Sequence, residues 1–253
     1  MTGTTQASPA TTSGSARTWL LLLLCAVVFA VLLALGTWQV QRLHWKEALI
    51  ARIEERIAAQ PIELEAMERI YSENGDVEYR PLRVGGVFVH EGERHYFATW
   101  KGQSGFFIHT PLKLADGRYI FVNRGFVPYD RKDAQTRGEG QVVGGVRIAG
   151  LARNAPERKP SFIVPDNDAD KNVFYWKDMG VMAASAGLPE SSAFVPFYLD
   201  AGNAPNPGGL PVGGVTLIDL PNSHLQYAIT WYGLAAALAG VLLVWWRRNR
   251  ARS

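Results

Sequence analysis

Every residue from Trp19 to Leu35 is apolar, and no charged side chain occurs between Arg17 and Arg42. At about 1.5 Å of rise per residue, such a run crosses a hydrocarbon layer of roughly 30 Å as a helix. A second uncharged stretch runs from Leu225 to Trp246 and stops against Arg247, Arg248, Arg250 and Arg252. Lipid offers the backbone no hydrogen-bond partners, so an isolated apolar run inside it has to be helical. Trp231, Trp245 and Trp246 suit the two interfaces of that second span.

Between these runs the period of the pattern changes twice. Val40, Leu43, Ile50, Ile53 and Ile57 recur at helical spacing among charged residues, which predicts an amphipathic helix leaving the membrane and stopped by Pro61. A short helix is expected from Glu63 to Ile70. From Tyr79 to Arg153 the runs are short, β-branched and aromatic, and are broken by Gly, Pro and Asp. They predict strands at 83–90, 94–100, 106–114, 119–127 and 142–153, with Asp116-Gly117 as a hairpin turn. The pairs Gly85-Gly86 and Gly144-Gly145 fall inside expected strands and predict bends. Residues 154–172 read as a polar loop, 176–187 as a short helix and 215–220 as a last strand. The expected fold is a membrane α+β chain, two transmembrane helices flanking an extracytoplasmic domain with a curved antiparallel sheet or small barrel. Its parts would be a disordered cytoplasmic tail (1–17), a span (18–38), the outer domain (39–223), a second span (224–246) and a basic tail (247–253).

Charge then sets the orientation. Short arginine-rich tails stay on the cytoplasmic side while long domains cross regardless of charge, so both termini are expected inside. The domain would then face the periplasm, or the intermembrane space of a mitochondrion. A cleavable signal peptide is the rival reading of the first run, but the apolar stretch is long and Leu-Gly-Thr-Trp (35–38) is a poor cleavage site. The net charge of +3 owes much to the C-terminal arginines and argues for topology, not for nucleic-acid binding. The single cysteine, Cys25, lies in the first span, which leaves the outer domain without disulfides or cysteine-held metal.

Few residues carry soluble-enzyme chemistry. His90 and His95 bracket Glu91 and Glu93, but a zinc-protease helix needs its histidines four apart, and here a hairpin turn is expected. Asp166, Asp168 and Asp170 alternate like a calcium loop, yet Lys171 and Lys177 stand where that loop needs Gly and Glu. Gly102-Gln-Ser-Gly lacks the spacing of a hydrolase nucleophile elbow. His224 is more informative: it opens the second span, and Tyr227 and Trp231 share its helical face. An imidazole there is either an interfacial residue or an axial ligand for haem iron. Across from it, the first helix exits through Trp38, Gln39, Arg42, Trp45 and Lys46. Arg42 and Lys46 lie one turn apart, where they anchor to headgroups or pair with carboxylates.

Five segments then fall in a recognisable order: Leu-Gly-Thr-Trp-Gln with Arg-Leu-His-Trp-Lys (35–46), Tyr-Arg-Pro (79–81), Asn-Arg-Gly-Phe-Val-Pro (123–128), Tyr-Trp-Lys-Asp (175–178) and His-Leu-Gln-Tyr-Ala-Ile-Thr-Trp-Tyr-Gly-Leu (224–234). Together they resemble the Surfeit locus cytochrome c oxidase assembly factors over nearly everything after residue 17. The resemblance implies a bacterial inner-membrane protein without enzymatic turnover that carries haem a as transient cargo to the catalytic subunit of cytochrome c oxidase, alongside other oxidase assembly proteins. It implies His224 as the iron ligand, Tyr227 and Trp231 against the ring, and Arg42 or Lys46 at the propionates. Ser223 departs from the family pattern, in which an amide or acid often precedes the histidine, and leaves the imidazole without an obvious partner. The alternatives are a scaffold that holds assembly intermediates without cofactor, and an enzyme acting on haem, for which no acid, base or redox pair clusters.

Overall fold

The computed structural model describes residues 13–189, 193–216 and 220–251. Two compact units result, one formed by the terminal segments up to residue 51 and from 219 on, the other by residues 52–218.

The terminal unit consists of α1 (Ser13–Ala58) as far as residue 51, and of α4 (His224–Arg250); both helices are long and apolar enough to cross a membrane. Many of their large side chains are exposed, including Trp19, Leu20, Leu23, Ile229 and Val241. Of the expected N-terminal tail, residues 1–12 lie outside the described residues, while residues 13–17 already belong to α1. The amphipathic segment continues α1 without a break. It ends at Ala58, because Pro61 biases the residue before it toward an extended backbone.

In the second unit, β1 (Ile62–Glu63) leads into α2 (Leu64–Asn74). That helix outruns the expected Ile70 because its stop is Gly75, whose left-handed φ of 68° lets its N–H reach the Tyr71 carbonyl. The strands are β2 (Arg80–Phe88), β3 (Arg94–Trp100), β4 (Gln103–Lys113), β5 (Tyr119–Pro128) and β6 (Gly145–Asn154). After α3 (Met179–Ala184) comes β7 (Phe197–Ala201). They form one sheet in the order β1-β2-β6-β7-β5-β4-β3.

This sheet corrects the expectation of an antiparallel sheet or small barrel. It is mixed, because β1 runs parallel to β2 and β7 parallel to β5. It curls enough for the end of β2 to meet β4 through Val87 and Phe88, but that contact spans two residue pairs and makes no clear barrel. Gly86 permits the approach: a Cβ there would lie 2.4 Å from the Lys113 carbonyl oxygen. Gly144, at φ 91°, precedes β6 instead of bending it. Nor is 90–95 a hairpin, since β2 and β3 are not neighbours; the turn at His90–Gly92 links strands on different parts of the sheet. The hairpin at Asp116-Gly117 does join β4 to β5, with Gly117 at φ 87°. The expected strand at 215–220 is not found where it is described: Val215 is buried but irregular, and residues 217–219 lie outside the described residues.

β5 is the middle of the core and is buried on both faces. Ile120 and Val122 point into a cluster with Leu82, Leu112, Phe197, Leu199 and Met67 of α2. Phe121, on the other face, packs with Phe174, Tyr198 and Met182 of α3. A bulge opposite Ile108 accommodates Arg124 and Gly125, where φ is 124° and a Cβ would strike the Val212 carbonyl at 1.9 Å.

Candidate functional site

In the terminal unit, α4 runs antiparallel to α1, and the contact is built from small and polar residues. Ala228 and Ala235 are buried, and His224 and Trp231 complete a stripe at helical spacing with them. On α1 the facing residues include Gly36 and Gln39, both buried. The ring of Tyr232 covers Gly36 so closely that a Cβ there would lie 2.8 Å from it. Thr37 Oγ1 donates to the Leu33 carbonyl at 2.9 Å and therefore accepts from the Tyr232 hydroxyl at 3.0 Å.

The same contact carries the imidazole. His224 Nδ1 lies 2.7 Å from Gln39 Oε1. With the amide oxygen as acceptor, Nδ1 bears the hydrogen of this bond, which in a neutral imidazole puts the lone pair on Nε2. Gln39 is 8% exposed, so the amide is held firmly, while His224 is half-buried. A ring fixed through one nitrogen with the other left basic is the usual arrangement of a metal-binding histidine. The partner that Ser223 fails to provide thus comes from the other helix. Gln39 stood among the exit residues of the first helix, but nothing in the sequence paired it with a histidine 185 positions away.

The other expected site residues divide. Trp231 lies on the buried stripe two turns after His224, whereas Tyr227 is 53% exposed. Arg42 is exposed and sits 3.9 Å above the Trp45 ring. Lys46 is half-buried on α1. The described contacts bring His224 together with Gln39 and not with Arg42 or Lys46.

The residues of this contact lie within a wider match. The sequence profile of the SURF1 family covers residues 26–236. The chain belongs to the SURF1 family. Surfeit locus protein 1 of rat is 38% identical over 91% of this chain and 74% of its own length. The human protein of the same name is 37% identical over 87% and 74%. A SURF1-like protein of Monosiga brevicollis is 34% identical and covers the whole chain and 96% of its own length. Two of the segments that carried the resemblance, 35–46 and 224–234, therefore supply the helix contact through Gly36, Thr37, Gln39, His224 and Tyr232.

The other three segments meet in the second unit around a buried polar cluster. Asn123 donates to Asp200 at 2.8 Å, Arg153 binds Asp200 at 2.6 Å, and Lys177 donates to the Tyr198 hydroxyl at 2.6 Å. Arg153 also bonds Glu78 at 2.8 Å and stacks 4.7 Å from the Tyr79 ring. Burial raises Asp200, but Lys177 and Arg153 outweigh it and hold the carboxyl below its ordinary value. Burial lowers Lys177 and, with help from that lysine, pushes His109 down to about 3. His109 is fully buried and neutral, edge-on to Tyr96 and Tyr198. This cluster joins β4, β5, β6 and β7 and is a structural core.

His90, Glu91, Glu93 and His95 line a cavity of about 610 Å³. Three of these side chains bond to protein: His95 Nε2 lies 2.6 Å from Glu93, Glu93 pairs with Arg137, and His90 Nε2 lies 2.8 Å from the Val142 carbonyl. Burial raises the Glu93 pKa, yet the bonds to His95 and Arg137 bring it below the ordinary range. Asp168 is taken by Lys171 at 2.7 Å and Asp166 by Lys159 at 2.6 Å.

Proposed function

We propose that this chain is a non-enzymatic assembly factor for cytochrome c oxidase that spans the membrane twice, binds haem a as cargo and passes it to the catalytic subunit. The observation that carries the proposal is the Gln39–His224 bond, which leaves Nε2 of a half-buried imidazole as the basic nitrogen at the start of an apolar helix. The donor set suits iron in a macrocycle: one neutral imidazole, an aromatic ring on the same stripe, and apolar helix surface for a lipophilic tail. His224 would ligate the iron, with Trp231 against the ring and Tyr227 at its edge. Arg42, turning away from Trp45, or Lys46 would meet the propionates. Lipid would bathe the site, with both termini in the cytoplasm of a bacterium and residues 52–218 in the periplasm. Membership of the SURF1 family supports this reading.

The test is the visible spectrum of the full-length protein purified from cells that make haem a, beside His224→Ala. We expect a haem absorbance band in the wild type and its loss or displacement in the variant. A colourless wild type, or a variant with the same spectrum, rules the assignment out. One observation favours a second reading, a scaffold that holds assembly intermediates without cofactor: Phe162 and Ile163 are 92% and 76% exposed on a polar loop, where a protein partner would cover them. A colourless protein that still copurifies with oxidase subunits would favour it.

A further inference from the structure

Arg124 is among the largest side chains buried in the second unit, at 2% exposure, and it has no ion-pair partner among the described residues. Its Nη2 donates to the Gly140 carbonyl and to Asn206 Oδ1, and its guanidinium lies 4.7 Å from the Phe88 ring. Nε and Nη1 are buried with no hydrogen-bond partner among the described residues. The neighbouring carboxylate, Glu93, is already bound by Arg137 and His95. Burying a cation without a counter-charge costs several kcal/mol, by general measure. Burial accordingly lowers Arg124 to about 10, and Arg137 adds to that against the opposing pull of Glu93.

The same guanidinium lines a cleft of about 490 Å³ whose walls include Phe88, Val146, Ile148, Ala201 and Pro205. Arg147 stands at its exposed rim. Arg124 and Asn206 both line the cleft, so a carboxylate entering it would replace the neutral Asn206 amide oxygen on Nη2 and bring one negative charge to the buried cation. A phosphate dianion would need more donors than Arg124 leaves free, and an uncharged ligand would leave the cation unmatched.

We propose that this cleft is a binding site for a carboxylate carried on an apolar group, with the carboxylate on Arg124 and the apolar group against Phe88, Val146 and Ile148. The site lies wholly within residues 52–218 and is independent of His224. The carboxylate has two possible sources, a free aryl or alkyl acid and the C-terminus of a peptide ending in apolar residues.

The full-length protein in a neutral maltoside detergent would be titrated calorimetrically with 3-phenylpropionate and with N-acetyl-Leu-Phe, each beside its uncharged amide. We expect at least one acid to bind with Kd below about 1 mM, and its amide to bind about tenfold more weakly or not at all. The acid that binds identifies the source. Arg124→Gln is expected to weaken acid binding by about tenfold or more. Because Arg124 is buried and a change there can unfold the unit, Val146→Trp is the second variant: Val146 is half-buried and lines the cleft on the face of β6 that it shares with Ile148, so a larger side chain there takes up the space of the apolar group. Binding should vanish in Val146→Trp and persist in His224→Ala. Acids that bind no better than their amides, no acid binding at all, or undiminished binding in a folded Val146→Trp would each overturn the proposal.

Discussion

Gln39 and His224 form a pair whose value lies in orientation. Replacing Gln39 by Leu keeps the volume of the side chain and removes the acceptor for Nδ1–H, freeing the imidazole to rotate and to change tautomer. We expect Gln39→Leu to retain the fold and to lower haem affinity by roughly tenfold or more, read by titrating haem into wild type and variant. His109 makes a different claim. Its folded pKa is about 3 against an ordinary 6.5, so the unfolded chain takes up a proton that the folded chain refuses. Stability from this group is therefore complete above pH 6.5 and is lost as pH falls toward 3. Between pH 6.5 and pH 5 the loss is about 2 kcal/mol. Unfolding of the second unit measured across that window should show the slope in wild type and a flatter profile in His109→Gln. Asp200 adds acid sensitivity only lower down, because its carboxyl is held below 3.8.

The helices and strands depend on particular close approaches. Gly36 lets the Tyr232 ring lie against the backbone of α1, with the Thr37 bond beside it. Gly36→Val would push α4 away, break the Thr37–Tyr232 bond and carry the Gln39–His224 pair with it. We expect a lower thermal midpoint and weaker haem binding, with both partly restored in Gly36→Val/Tyr232→Ala, where the clash is absent. The elements themselves differed in how well they could be read. β3 and β5 sit where their β-branched and aromatic runs and the flanking turn residues place them, and Gly117 marks the β4–β5 turn. β7 escaped notice because its five residues make too short a run to stand out beside a proline-containing loop, and its place between β6 and β5 is set by distant pairing. β1 is two residues long and acquires its conformation only by pairing with β2.

For the whole molecule, the arrangement proposed for haem transfer requires that residues 52–218 stand outside the cytoplasm. Fusing alkaline phosphatase after residue 150 should give an active reporter, and fusing it after residue 250 an inactive one. The reverse pattern would remove the proposed handover. The hydrophobic pattern alone marked out both terminal helices and the region of the sheet, because apolar run length and local spacing are properties of contiguous sequence. Tertiary structure decided that the sheet is mixed, that Gln39 holds the imidazole, and that Arg124 is buried without an ion-pair partner among the described residues. Each of these depends on partners from 16 to 185 positions apart, and no local period records which of many distant side chains will meet.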